Sequence, residues 1–213
     1  MKKITVSMAS ILLLSGFSFA GGNIVPIEEP EVVVAPIVDD SAYYLGLGYS
    51  YIQGNDKEIF RGAEIDDDDY TASSVMFQAG YQVNKYFSLE GRYTVSVGDI
   101  TTSHNFNPKP DEDVDMDISN IGVYLKPMYP IDDFTIYGLL GYGKVKMEGT
   151  GWSWDDTSFQ WGLGADYAIN DNLSVFADYT VWYDDDVVFA HLLGMVTTER
   201  NLDTVSVGLT YKF

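Results

Sequence analysis

The sequence contains no cysteine and has few basic residues. Without cysteine it can form no disulfide bond and has no thiolate for catalysis or metal binding. Its 12 Lys and Arg residues are outnumbered by 32 Asp and Glu residues, which gives a formal net charge of -20. A chain this acidic repels the phosphates of DNA and RNA. We therefore expect no nucleic-acid partner.

The sequence also lacks a hydrophobic run long enough to cross a bilayer as a helix. The first 20 residues combine Lys2 and Lys3, a short apolar stretch at 4–14 and small residues before Ala20. These are the parts of a secretory signal peptide, and we predict cleavage after Ala20. The apolar stretch is shorter than the ~20 residues of a spanning helix, which disfavours the alternative of an uncleaved anchor. The protein is therefore expected to be exported.

Residues 21–42 are rich in Pro, Glu and Val. Proline favours extended, unpaired backbone, so we predict a loose periplasmic leader. The valines at 32–34 leave open the alternative of an added edge strand.

From residue 43 onward the chain is rich in alternating apolar and polar residues. Aromatic residues make up 15% and hydrophobic residues 46% of the whole sequence, which is atypical of disorder. Strict alternation predicts β-strands with one apolar face. The segments with this pattern are 43–52, 74–82, 87–97, 120–127, 134–145, 159–169, 173–183 and 204–213. In the segment 134–145 the facing is ambiguous, and we place Ile136, Leu140 and Tyr142 on the outward face.

The connections between these segments alternate between short and long. The short ones, 84–86, 130–133 and 170–172, consist of turn-forming Asn, Asp and Pro with few other residues. The long ones are 53–69, 98–117, 147–158 and 184–203, and they contain 21 of the 32 acidic residues. This alternation is typical of membrane barrels, with short turns in the periplasm and long loops outside. For the apolar parts of these loops, 151–156 and 187–195, we favour strand extension or mutual packing.

Three features favour a membrane wall over a soluble sandwich. The segments are about ten residues long, as a tilted strand needs to cross the hydrocarbon. Aromatic residues cluster near the ends of the apolar faces, as in interfacial girdles. We place Tyr43, Tyr51, Phe87, Phe159, Tyr167, Tyr183, Tyr211 and Phe213 in these girdles. The opposite face is polar and nearly balanced in charge, which predicts a filled interior with a salt-bridge network. The predicted members are Glu90, Arg92, Lys126, Asp166, Asp178 and Lys212.

The predicted fold is therefore all-β, an eight-stranded antiparallel up-and-down transmembrane β-barrel over residues 43–213. With its signal peptide, its eight strands, its "YGLLGYG" at 137–143 and its final "YKF", the chain resembles the opacity-protein and outer-membrane-protein-A-like porin families. The resemblance implies residence in the bacterial outer membrane, among membrane lipid and lipopolysaccharide. It also implies that the barrel-assembly machinery reads Tyr211 and Phe213 as an assembly signal. We expect no peptidoglycan-binding domain after the barrel, which departs from the layout of full-length outer-membrane protein A.

The sequence leaves several functions to be compared. We expect a non-enzymatic barrel that displays acidic loops, with a structural or adhesive role and a surface ligand bound through the loops. An ion or small-solute pore is the alternative, although eight strands leave little room for one. A membrane-embedded lipid-modifying enzyme is the third, but His104 and His191 form no nucleophile–base pattern with other residues. We predict no cofactor and no metal site, while the alternative of Ca²⁺ bound by the acidic runs stays open.

Overall fold

The computed structural model describes residues 41–60, 63–104, 112–191 and 194–213. The predicted signal peptide, the cleavage site after Ala20 and nearly all of the predicted leader lie outside the described residues. Within the described part, no helix has the length and hydrophobicity required to span a bilayer.

The described chain consists of antiparallel β-strands joined by short connections. The strands are β1 (Ala42–Phe60), β2 (Ala63–Asn84), β3 (Phe87–Ser96), β4 (Ile100–His104), β5 (Glu112–Val114), β6 (Met116–Ile131), β7 (Phe134–Gly149), β8 (Trp152–Ala168), β9 (Leu173–His191) and β10 (Gly194–Lys212).

Eight of these strands form a closed ring. The order is β1, β2, β3, β6, β7, β8, β9 and β10, and β10 pairs again with β1. This last pairing runs from Tyr44 opposite Lys212 to Phe60 opposite Val196. Strands β4 and β5 continue the sheet beside β2, beyond the end of β3. The ring confirms the predicted eight-stranded antiparallel barrel, in which each of the eight strands pairs with a neighbour on both sides.

The outer face of the ring is apolar. Outward residues of β1 and β10, such as Leu45, Leu47, Val207 and Leu209, each keep at least half of their surface exposed. Large exposed hydrophobic side chains continue around every strand of the ring. Exposed apolar surface on this scale is unfavourable in water and is the expected outer surface of a membrane barrel.

Strand β7 settles the facing that the sequence left ambiguous. Ile136, Leu140 and Tyr142 are exposed on the outer face, while Tyr137 and Leu139 are buried in the interior. The outward assignment of the first three residues is therefore confirmed.

The three predicted short turns lie together at one end of the barrel, here called the turn end. The Asn84 side-chain oxygen accepts hydrogen bonds from the backbone N–H groups of Tyr86 and Phe87. The Asn170 side-chain oxygen does the same for Asn172 and Leu173. These asparagines replace backbone partners that a tight turn cannot supply, as expected for such turns.

At the opposite end, here called the hairpin end, the structure corrects the prediction of long loops. The ladder between β1 and β2 continues to Phe60 opposite Ala63, and that between β7 and β8 to Gly149 opposite Trp152. Most of 53–69, 147–158 and 184–203 is therefore β-structure, and β4 and β5 lie within 98–117. Acidic residues have low β-propensity, but here each continues a ladder already in register below it. Strand extension was correct for 151–156 and 187–195, which belong largely to β8 and β9.

Tyr183 is not in the outer girdle, contrary to our prediction. Leu202 pairs with Tyr183 and Asp203 with Val181, so Trp182 is an extra residue in β9. A β-bulge of this kind reverses the alternation beyond it. Trp182 and Tyr183 are consequently both buried, at 3% and 2% exposure, and both side chains lie in the interior.

Candidate functional site

The middle of the barrel interior contains a buried ion-pair network, here called the central network. The Glu90 carboxylate accepts from Arg92 at 2.6 Å and from Lys126 at 3.0 Å. Arg92 also donates to Asp178 at 2.7 Å. Strands β3, β6 and β9 position these four residues, because each points inward in the alternation of its own strand. Charges are tolerated in such a dry interior only when paired in this way.

Two tyrosines add hydrogen-bond donors to the central network. The Tyr44 hydroxyl donates to Glu90 at 2.6 Å, and the Tyr137 hydroxyl donates to Asp178 at 2.9 Å. The Lys126 ammonium lies 3.9 Å from the centre of the Tyr137 ring, in a cation–π contact. The Glu90 carboxylate thus has three donors. Both donors to Asp178 reach Oδ2, and its buried Oδ1 has no hydrogen-bond partner among the described residues. The side chains together fill the lumen at this level.

Beside the central network, the side chains of Asn120, Tyr124 and Gln160 bind each other. The Asn120 amide donates to the Gln160 oxygen at 3.2 Å, and the Gln160 amide donates back at 2.9 Å. The Tyr124 hydroxyl also donates to the Gln160 oxygen. The three side chains are buried, and they block the lumen between β6 and β8.

The structure places the other two predicted interior residues, Asp166 and Lys212, at the turn end. There they line a cavity of about 200 Å³, here called the turn-end cavity. Asp166 accepts a hydrogen bond from the Ser174 hydroxyl at 2.9 Å. The predicted set of six therefore divides into four residues in the central network and two at the mouth below it.

Toward the hairpin end the interior becomes apolar, which the sequence reasoning missed. A cluster of buried residues, here called the apolar plug, fills the lumen above the central network. Its members are Ile52, Tyr70, Ala72, Ile100, Met116, Ile118, Val145, Met147, Trp182, Tyr183 and Leu202. Several of them continue the inward positions of strands β1, β6 and β7. The alternation of inward and outward side chains along these strands predicts the plug if the strands are extended into the predicted loops.

A polar layer lies on top of the apolar plug. Arg200 binds Asp56 through two hydrogen bonds, from Nε at 2.7 Å and from Nη2 at 2.5 Å. The Arg200 guanidinium also lies 4.5 Å from the Trp154 ring. Burial disfavours the charged guanidinium, but the hydrogen bond and charge of Asp56 outweigh burial and raise the Arg200 pKa. Arg200 is therefore a fixed cation in this layer.

The same layer holds Tyr183 by its hydroxyl. Tyr183 donates to Asp156 at 3.0 Å, and its ring contacts Trp154 edge-on at 5.2 Å. Burial, followed by the hydrogen bond to Asp156, raises the pKa of Tyr183 to about 12. The phenol therefore stays protonated and keeps its donor role at physiological pH.

Acidic residues line the hairpins beyond this layer. In the ladder between β1 and β2, Asp56 lies opposite Asp68, and Glu58 lies opposite Asp66. Like charges directly opposite each other destabilise a sheet. On the outer face, the Asn55 amide donates to Asp67 and to Asp69, both at 2.7 Å. One neutral amide thus ties two of the carboxylates to β1.

The structure places the two histidines by their backbone only. His104 lies opposite Asp68 at the end of β4, and His191 lies opposite Gly194 at the end of β9. The two therefore belong to different hairpins, and their side chains lie outside the described part. Within the described residues, no group of three His, Asp or Glu side chains is arranged to hold a metal ion.

A closed eight-stranded wall with an apolar belt and a filled interior defines a small outer-membrane barrel. The family model of the outer membrane protein beta-barrel domain matches residues 33–213 of the sequence, and the chain belongs to this family. The protein is therefore located in the bacterial outer membrane. Among curated proteins no significant match is found.

Solved structures with the same fold have little sequence in common with this chain. OprG of Pseudomonas aeruginosa is 14% identical to this chain. The match covers 82% of this chain and 97% of OprG, with a TM-score of 0.58. Ail, the attachment invasion locus protein of Yersinia pestis, was solved with the heparin analogue sucrose octasulfate. Ail is 18% identical to this chain. The match covers 82% of this chain and 99% of Ail, with a TM-score of 0.50. At these identities the likeness concerns the fold alone.

Proposed function

We propose that this protein is a closed, non-enzymatic outer-membrane barrel that displays acidic β-hairpins at the cell surface for binding of cationic surfaces. The observation that supports this most is the combination of a blocked lumen with acidic residues gathered at one end. The hairpin end contains the like-charged pairs Asp56–Asp68 and Glu58–Asp66. A like-charged pair costs stability unless a cation neutralises it, as Arg200 does for Asp56, so a surface role is the simplest reason for the excess of acidic residues at this end.

The direction of the barrel in the membrane is part of the proposal. Outer-membrane barrels have short turns in the periplasm and longer connections outside, which assigns the hairpin end to the exterior. Protease added to intact cells should cleave within the hairpins and leave the turn at 130–133 uncut. Cleavage at that turn in intact cells would reverse the assignment.

Binding through the acidic hairpins has a matched test. Folded protein in detergent is applied to surfaces coated with poly-lysine or with heparin. We expect retention on poly-lysine that decreases with salt, because attraction between exposed charges is screened. Changing Asp66 and Asp67 to Asn should reduce retention, while the same change at Asp132 and Asp133, at the turn end, should not.

Equal loss in both double variants, or preferential binding to heparin, would contradict the proposal. The heparin analogue bound by Ail is polyanionic. The acidic hairpins of this chain repel such a ligand, so we propose no polyanionic ligand for this protein.

The alternative of a pore has its own test. The apolar plug and the central network both fill the lumen of the barrel, and hydrophobic constrictions resist wetting. Purified, refolded protein in a planar bilayer should therefore give no stable conductance steps. Reproducible steps, absent from a mock preparation, would favour the pore.

A lipid-modifying enzyme is the less favoured alternative. It would need a nucleophile and a base within hydrogen-bonding reach, and the two histidines lie on separate hairpins. Any lipase activity of purified protein that is lost on changing His104 or His191 to Ala would revive it.

A further inference from the structure

The turn-end cavity contains an acid and a base that do not bind each other. Asp166 and Lys212 both line it. In the described part of the chain, ion pairs join Lys126 to Glu90 and Lys144 to Asp155, but none joins Asp166 to Lys212. The two charged groups thus face one cavity while remaining apart.

Asp166 and Lys212 both have hydrogen-bonding positions that their neighbours do not use. The Asp166 carboxylate accepts from Ser174 through Oδ2 only. Lys212 is held by its backbone, since its carbonyl accepts from the Asn172 side chain at 2.8 Å. Its ammonium has three donors and makes no hydrogen bond or close ion pair with the described residues, although its charge acts on Asp166 from a longer distance. Both charges therefore have unused hydrogen-bonding positions.

The other charges at the cavity are themselves paired or exposed to water. Lys126 lies at the inner side, where Glu90 binds it at 3.0 Å. Lys85 and Asp171 also line the cavity and are exposed. They have opposite charges, so the site as a whole has no strong excess of one sign. A ligand with a single charge would satisfy only one of Asp166 and Lys212.

The size of the cavity sets the kind of ligand. At about 200 Å³, it exceeds the roughly 30 Å³ share of one water molecule several times over. The filled central network above it prevents passage through the barrel. The turn-end cavity is therefore closed at its inner end and has room for a small organic molecule.

We propose that the turn-end cavity binds a small zwitterion, whose ammonium contacts Asp166 and whose carboxylate contacts Lys212. Charge-assisted hydrogen bonds of this type are the stronger class of polar contact. Met128 also lines the cavity and offers an apolar wall. This site is separate from the hairpin end, and it does not depend on the proposed surface role.

The methyl group of Met128 provides a local probe of binding. Protein labelled with ¹³C in its methionine methyls is titrated in detergent micelles with glycine, β-alanine and 4-aminobutyrate, which differ in charge separation. We expect a saturable shift of the Met128 signal for at least one of them. Met76 and Met147, buried elsewhere in the interior, should not shift. Propionate and ethylammonium, which each have one charge, should bind at least about tenfold more weakly.

Variants separate the two contacts. Asp166→Asn should weaken zwitterion binding about tenfold or more and remove the preference over propionate. Lys212→Gln should weaken it similarly and remove the preference over ethylammonium. Lys146→Gln, the same chemical change at the hairpin end, is the control and should leave binding unchanged. Unshifted Met76 and Met147 signals in each variant show that it folds.

Two results would overturn the inference. One is the absence of a saturable Met128 shift with every zwitterion in the folded protein. The other is equal binding of zwitterions and single-charge molecules in the wild-type protein and in both variants.

Discussion

At the scale of single residues, the charges inside the wall and those outside it have different consequences. Arg92 is buried between Glu90 and Asp178, and each contact is a short ion pair. Lys144 pairs with Asp155 at 2.7 Å on the outer face, where both side chains are about half exposed. Water and salt already stabilise exposed charges, so such surface pairs add little. The interior charges depend on each other and on the hydroxyls of Tyr44 and Tyr137.

This difference predicts the effect of removing one cation. Arg92→Met leaves two carboxylates with fewer partners in a dry interior, which should lower the free energy of unfolding by about 3–5 kcal/mol. Lys144→Met is the matched control and should change stability little. Urea unfolding of the folded barrel in lipid vesicles, followed by tryptophan fluorescence, measures both. Equal stabilities of the two variants would contradict the assigned role of the central network.

At the scale of elements, the hairpins behave as continuations of the wall instead of loose loops. Strand β10 contains both environments, because Leu202 is fully buried in the apolar plug while Leu209 is 50% exposed on the outer face. The apolar plug begins at the bulge at Trp182, and the polar layer of Arg200 and Asp56 follows it toward the hairpin end. We therefore expect the plug to supply the packing that holds the hairpins together.

Truncating the plug should loosen the hairpins without removing the barrel. Leu202→Ala creates a cavity in a packed cluster, a change that typically costs about 2–5 kcal/mol. We expect faster proteolysis within the hairpins, measured on folded protein in detergent. Leu209→Ala on the same strand leaves the plug intact and should not alter that rate. A Leu202→Ala variant as resistant as the wild type would show that the plug does not order the hairpins.

At the scale of the whole molecule, the barrel depends on the seam where its last strand meets its first. Gly48 and Gly208 lie opposite each other in this seam. The ring of Phe176, on β9, covers both, because a Cβ atom on either would come within 3.1 Å of it. A Cβ on Gly208 would also lie 2.3 Å from the Leu47 carbonyl oxygen, which is part of the backbone and cannot move aside.

Closure of the barrel should therefore be sensitive to Gly208. Gly208→Ala is expected to lower the yield of the folded form, which is read as the band that shifts on boiling in gel electrophoresis. Gly91→Ala is the control, since the nearest atom to a Cβ there is 3.8 Å away. Equal yields of the heat-shifting form would show that the seam tolerates the added methyl group.

The amino-acid sequence by itself determined the wall of this protein. Side-chain direction in a strand alternates locally, so the outward residues, the inward charges and the short Asn turns could all be recognised from nearby residues. The assembly role of Tyr211 and Phe213 stays a prediction, although their rings do contact each other at 5.2 Å.

Only the tertiary structure decided how the interior is divided. Arg92 and Asp178 lie 86 residues apart, and only ring closure determines which inward charges meet and which, like Asp166 and Lys212, remain apart. The bulge that turns Tyr183 inward depends on pairing with Leu202, which no local pattern in β9 reveals. The acidic hairpins are strands because neighbouring ladders extend into them, an effect of register that overrides their low β-propensity.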